Sequence, residues 1–131
     1  MPPLIELSGI SRVYAMGSVS VQAVDNLTLS IEAGEFVAIM GHSGSGKSTL
    51  LNILGFLDRP DSGSYRLMGK ETSTFSDDEL SRLRNRVAGF VFQQFHLLPR
   101  MSVLENTELP LLYSGFTSEG KTRAAQKIDE V

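Results

Sequence analysis

The octapeptide Gly41-His42-Ser43-Gly44-Ser45-Gly46-Lys47-Ser48 constrains this chain more than any other stretch. It follows the apolar run Phe36-Val37-Ala38-Ile39-Met40 and leads into Thr49-Leu50-Leu51-Asn52-Ile53-Leu54-Gly55. That order predicts strand, glycine-rich loop, helix, and G-x-x-x-x-G-K-[ST] is met in full. Each residue type has a chemical reason. Glycines let the backbone curl around a phosphate chain with no Cβ in the way. The curl aims several N–H groups inward as a nest for anion oxygens. The helix that follows adds unpaired first-turn N–H groups and the positive end of its dipole. Lys47 supplies a mobile positive charge for the β- and γ-phosphates, and the Ser48 hydroxyl is placed to ligate Mg²⁺. The bland alternative is a surface turn that happens to hold a lysine. With glycine at about 7% of residues, that coincidence arises in roughly one chain in a few hundred. The candidate phosphate-binding residues are therefore Gly41, Ser43, Gly44, Ser45, Gly46, Lys47, Ser48 and Thr49.

At 131 residues the chain has room for one domain. Its composition, 41% hydrophobic and 21% charged, is that of a globular protein. No apolar run approaches the roughly 20 residues that cross a bilayer. The start, Met1-Pro2-Pro3-Leu4-Ile5-Glu6, has no basic n-region, so no signal peptide is expected. A net charge of −3 argues against general nucleic-acid binding, which wants a basic face. With no cysteine, disulfides and zinc-thiolate sites are excluded.

Residues 4–10 and 11–14 read as extended, 16–18 as a turn, and 19–24 as extended again. Asp25-Asn26 is expected to turn into the alternating strand Leu27–Ile31. The first third, about 1–35, is thus an antiparallel β layer. Phe36–Met40 is apolar on both faces, as a parallel strand covered by helices would be. The next helix is expected over 47–57, stopped at Pro60. A short strand over 64–68 ends at Gly69. Ser76-Asp77-Asp78-Glu79 matches a capping box and opens a helix through Leu80, Leu83 and Val87. Arg82, Arg84 and Arg86 fall near its C-terminal end, where the dipole favours them on an exposed face. Ala88–Phe92, continuing to Gln93, reads as a second buried strand. Ser102-Val103-Leu104-Glu105 opens a helix that Pro110 is expected to limit. Helix is expected again from Ser118, with Ala124, Ala125 and Ile128 on one side.

Several segments together resemble the ATP-binding subunits of ABC transporters, over nearly the whole chain. They are Tyr14 at the end of the first β stretch, Gly34-Glu35, and Gly41 to Ser48. Leu57-Asp58, Pro60, Gly63 and Gly69 follow, and then Gly89-Phe90-Val91-Phe92-Gln93. The stretches 52–58 and 92–99 are more similar to the macrolide-export and lipoprotein-release branch, with the cell-division ATPase nearby. The resemblance implies an α/β fold with a P-loop NTPase-type core and an N-terminal antiparallel β layer. It implies a helical subdomain beginning at about 102–131. ATP and Mg²⁺ are the implied cofactors. Tyr14 resembles the aromatic that stacks on adenine. Gln93 resembles the Q-loop glutamine, which reaches Mg²⁺ and the attacking water; with Lys47 it is the candidate catalytic pair. Gln94 is adjacent, and the position after Phe-Val-Phe favours Gln93. His96 reads as a loop or interface residue. Implied partners are transmembrane permease subunits, with the 95–101 loop as candidate contact, and a second ATP-binding subunit. No nucleic acid is among them. The implied place is the cytoplasmic face of the membrane.

The sequence holds no L-S-G-G-Q signature and no second apolar strand ending in Asp-Glu. The chain is expected to be cut short before both, to bind ATP weakly or not at all, and not to turn it over. An acidic residue activating water typically contributes ~10²–10⁴-fold. Other P-loop classes fit less well. A GTPase would want N-K-x-D, which is absent, and the arginines of 82–86 lie outside any glycine-rich lid. A non-catalytic truncated product is the remaining alternative.

Overall fold

A computed structural model describes residues 2–115 and 119–131. The expected helix start at Ser118 lies outside them. The chain divides into two units, Met1–Leu80 and Ser81–Val131.

In the first unit a long hairpin joins β1 (Ile5–Met16) to β2 (Val19–Ile31). β3 (Ser62–Leu67) pairs antiparallel with the other edge of β1, and β4 (Lys70–Glu71) with β3, giving the order β2-β1-β3-β4. Leu7 and Ile10, both fully buried, are three residues apart. In an unbroken strand they would face opposite ways. An extra residue between the pairs Leu7↔Leu29 and Ile10↔Leu27 restores the parity, with Gly9 at φ 59. The expected turn at Asp25-Asn26 is a compensating bulge in β2 instead. The register slips between Ile10 and Arg12, Asn26 sits at φ 45, and its N–H donates to Ser11 Oγ at 2.9 Å. The hairpin closes at Gly17, as predicted for 16–18.

α1 (Lys47–Leu54) buries Leu50 and Ile53. It ends three residues before the expected Leu57. Phe56 turns left-handed at φ 60, and Leu57 N–H donates back to Asn52 O at 2.8 Å. Left-handed backbone costs a non-glycine residue about 1–2 kcal/mol. Phe56 offsets it by stacking on Tyr65, centroids 5.2 Å apart, a pair worth about 1 kcal/mol beyond its burial. Tyr65 Oη then donates to Leu54 O at 2.9 Å, fastening β3 to the end of α1. Burial pushes the Tyr65 phenol well above its usual range. A 3-10 turn (Thr72–Thr74) leads to α2 (Asp77–Arg86). The Ser76–Glu79 capping box is present, with Ser76 N–H to Glu79 Oε2 at 2.8 Å and Glu79 N–H to Ser76 Oγ at 3.3 Å.

Two expected strands are not formed. Neither 36–40 nor 88–92 carries ladder hydrogen bonds, and Phe36 (95%), Met40 (89%) and Val91 are exposed rather than covered on both faces. A central parallel strand exists only through its neighbours, and no described residue pairs with either pentapeptide.

In the second unit, α3 (Val103–Tyr113) begins at a complete Ser102–Glu105 capping box. Pro110 does not limit it. The helix runs on and closes with tighter bonds, Ser114 N–H to Leu111 O at 3.1 Å and Gly115 N–H to Leu112 O at 3.2 Å. The Pro110 carbonyl is taken by Asn85 Nδ2 at 2.8 Å and Ser114 Oγ at 3.1 Å. α4 (Gly120–Asp129) lays Gly120 and Ala124 against α3, with Leu111 beside Gly120. Ala125, expected on that face, is exposed, because the stripe follows 120, 124 and 128.

Three carboxyls are held below their usual range. Asp61 is lowered by the Val13 N–H and then by Arg12. Burial works to raise Glu71 but is outweighed by the Ser64 hydroxyl and the Ser73 and Tyr65 N–H groups. Glu105 is lowered by the N–H and hydroxyl of Ser102. A depressed folded value stabilises above the unfolded one and is lost as pH falls through the folded one. Thermal melting followed by circular dichroism should give a midpoint that is level from pH 7 to about 5 and falls below about 4.5. A midpoint unchanged down to pH 3 would contradict these carboxyl contacts.

Candidate functional site

The loop 41–46 is curled. Ser45 N–H donates to His42 O at 3.3 Å, and Gly44 and Gly46 take φ 82 and 90. A Cβ on Gly41 would lie 2.6 Å from Ser45 Oγ, a hydroxyl that can rotate aside, so this position is less constrained than Gly46. One on Gly46 would lie 2.0 Å from the carbonyl oxygen of Ala23, in β2. Gly46 is the N-cap of α1 and offers no side chain, and the first helical bond is Leu50 N–H to Gly46 O at 2.9 Å. The first-turn amides of Lys47, Ser48 and Thr49 therefore point out of the helix without a side-chain cap. The first turn of α1 carries no acidic residue of its own to compete with an outside anion. Lys47 folds back over the loop. Its Nζ donates to Gly41 O at 2.8 Å, His42 O at 2.6 Å and Ser45 Oγ at 3.3 Å. Ser43 and Ser48 are exposed and Thr49 is half-buried. A glycine-lined curl, uncapped amides and one ammonium suit a polyphosphate, and an exposed first-turn hydroxyl suits a hard cation.

Tyr14 belongs to the same unit. It pairs with Val21 on β2, two residues from the Ala23 that Gly46 packs against. Along a strand that is about 7 Å. Its hydroxyl donates to Asp58 Oδ2 at 2.6 Å, and the Arg12 guanidinium carbon stands 4.7 Å from its ring centre. Arg12 forks onto Asp58 through Nε to Oδ2 at 3.0 Å and Nη2 to Oδ1 at 2.9 Å, and reaches Asp61 through Nη1 at 2.6 Å. Its pKa is raised above the ordinary value, first by Tyr14 and then by the two carboxylates, against the effect of burial. The sequence pattern marks Asp58 only as part of the family resemblance and singles out neither Asp61 nor Arg12. The i,i+2 spacing of Arg12 and Tyr14 on one strand face was the available signal.

Gln93 lies in the second unit, in an exposed bend after Phe92. The phenyl rings of Phe90 and Phe92 stack at 5.3 Å, and Phe92 meets His96 edge-on at 4.7 Å. Leu98 N–H donates to Asn106 Oδ1 at 2.8 Å, which ties this loop to α3. Phe95 is exposed. Among the described residues no helix is long and apolar enough to cross a membrane.

The family model described as ABC transporter matches residues 24–131. The macrolide export ATP-binding/permease protein MacB of Chlorobaculum tepidum is 56% identical over 98% of this chain, which spans 20% of that protein. The probable syringafactin export ATP-binding/permease protein SyfD of Pseudomonas syringae is 48% identical over 97% of the chain, which spans 19% of it. Among solved structures, the dimeric bacterial ABC transporter cassette MJ0796 superposes with a TM-score of 0.83 at 46% identity, covering 93% of this chain and 54% of that one. The same cassette in a dimeric post-hydrolysis state bound to ADP and Pi gives 0.81 at 43% identity. The chain thus spans about a fifth of the curated relatives and about half of the solved cassettes, and it belongs to the ABC transporter family as part of an ATP-binding domain.

Proposed function

We propose that this chain carries the phosphate-binding half of an ATP-binding cassette that drives export or lipoprotein release through membrane permease segments. The observation that supports it is the curled 41–46 loop with the uncapped first turn of α1. In this reading the amides of residues 44–49 and the Lys47 ammonium hold the phosphates of ATP. Lys47 exchanges its bonds to the carbonyls of Gly41 and His42 for phosphate oxygens. The Ser48 hydroxyl would be a Mg²⁺ ligand, and Gln93, in the second unit, keeps the Q-loop role that the resemblance implies. ATP supplies the reactive phosphoryl group and Mg²⁺ neutralises its charge. Tyr14 offers its ring to the base. A second cassette and permease segments complete the working assembly, in line with the dimeric neighbours and the ATP-binding/permease relatives.

In this reading the chain supplies nucleotide binding, and binding and turnover are measured apart. Titration of the isotope-labelled chain with Mg·ATP should move the amide signals of residues 41–49 with a Kd on the order of 1 mM, about 4 kcal/mol. Lys47→Ala should weaken this at least ~10-fold, the worth of a charge-assisted hydrogen bond. Phosphate release should stay at background. Amides of 41–49 that do not respond would remove the phosphate reading. Phosphate release abolished by Lys47→Ala would overturn the non-catalytic one.

A further inference from the structure

We infer that Asp58, held by Arg12, is a positioning residue that fixes the Tyr14 ring relative to the phosphate loop and so sets how much the base contributes to nucleotide binding. The inference rests on the nucleotide reading above.

The Tyr14 ring is constrained on three sides. Its hydroxyl is bound by Asp58, one face is covered by the Arg12 guanidinium, and the backbone before it is pinned by Val13 N–H to Asp61 Oδ2 at 2.7 Å. With the guanidinium on one face, a planar ligand would have to stack on the opposite one. Asp58 is in turn anchored to the helix that starts at the loop: its N–H donates to Asn52 O at 3.2 Å, beside Leu57 N–H to the same carbonyl at 2.8 Å. A rigid line therefore runs from the loop through α1 and Asp58 to the Tyr14 hydroxyl. A second runs from Gly46 through Ala23 and Val21 of β2 to the Tyr14 backbone. Both ends of the ring are referenced to the element that would hold the phosphates. Arg12 and Asp58 keep only 22% of their side-chain surface exposed, so the fork between them is shielded from competing water. A cation on one face draws π density toward itself. The opposite face then suits an electron-rich purine better than a second cation.

A network that merely staples β1 to the 58–61 turn would affect all ligands alike. The test compares Mg·ATP with Mg·tripolyphosphate, which has the phosphates and no base, by NMR titration of the full chain and its variants. Tyr14→Phe keeps the ring and removes the tether; Asp58→Asn keeps the shape and removes the charge. Each should weaken ATP about fivefold, one lost hydrogen bond, while tripolyphosphate changes by less than twofold. The double variant should lose less than the sum of the two single losses, because both weaken the contact between Tyr14 and Asp58. Equal losses for both ligands, or an additive double variant, would overturn the positioning role. Wild-type chain that binds tripolyphosphate as well as ATP would show that no base contact exists to position. Wild-type chain that binds neither would remove the nucleotide reading itself. Tyr14→Phe is the variant that guards against misfolding, since Asp58 Oδ2 keeps its bond from Arg12 Nε.

Discussion

Gly46→Ala should abolish the response of residues 41–49 to Mg·ATP and destabilise the first unit by about 3 kcal/mol. Two costs add. At φ 90 and ψ 3 the residue lies in the left-handed region, which costs an L-residue about 1–2 kcal/mol. The new Cβ would also stand 2.0 Å from the Ala23 oxygen and 3.2 Å from its carbonyl carbon, both backbone atoms of β2. No rotamer relieves such a contact. Either β2 moves, disturbing the buried Val24, or the loop lifts off and the first-turn amides lose their aim. Overpacking of this kind costs about 1–3 kcal/mol. Gly44→Ala is the control. It shares a positive φ of 82, but its Cβ would meet nothing within 4 Å, so only the conformational cost of about 1 kcal/mol applies. Denaturant unfolding of the three proteins, read beside the titration, checks this. A Gly46→Ala protein as stable as Gly44→Ala would show that the loop is not seated on β2.

Gly63→Ala should unfold the first unit or bring it close to unfolding, with a loss of about 4 kcal/mol. The residue takes φ 91 at the start of β3, where a Cβ would meet Gly9 O at 2.5 Å and Gly9 C and Ile10 Cα at 2.6 Å. All three are backbone atoms of β1, and they lie at the bulge between the pairs Ser8↔Ser64 and Ser11↔Ser62. Making room separates the strands there. That would expose Ile10, which has no accessible surface, and break Asp61 N–H to Ser11 O at 2.8 Å. Domains of this size are stable by only about 5–15 kcal/mol. Gly17→Ala, at φ 63 in the hairpin turn with nothing within 4 Å, should cost about 1 kcal/mol. Thermal melting by circular dichroism distinguishes them, and equal midpoints would contradict the close approach of β3 to β1.

What the linear order of residues could settle was local. The start of α1 at Lys47, both capping boxes and the glycine curl of 41–46 depend on contacts within a few positions, and all stand as expected. Alternation likewise marked β1 and β2, yet the bulges at Gly9 and Asn26, which decide that Leu7 and Ile10 share a face, come from cross-strand register. The strand character expected of 36–40 and 88–92 failed for the opposite reason. Apolar composition makes a segment suitable for a sheet, but hydrogen bonds from neighbours far along a chain make it a strand. Phe56 in a left-handed turn is permitted by Tyr65, eleven residues from the end of α1, and the carbonyl of Pro110 near the end of α3 is taken by the distant Asn85. The Arg12–Asp58–Tyr14 group is the clearest case. Nothing local in the sequence ties Arg12 to Asp58, and only the fold, by setting β1 beside the turn after α1, makes them one partly shielded network. Short-range preferences are written residue by residue; which distant groups share a low-dielectric space is decided when the chain closes on itself.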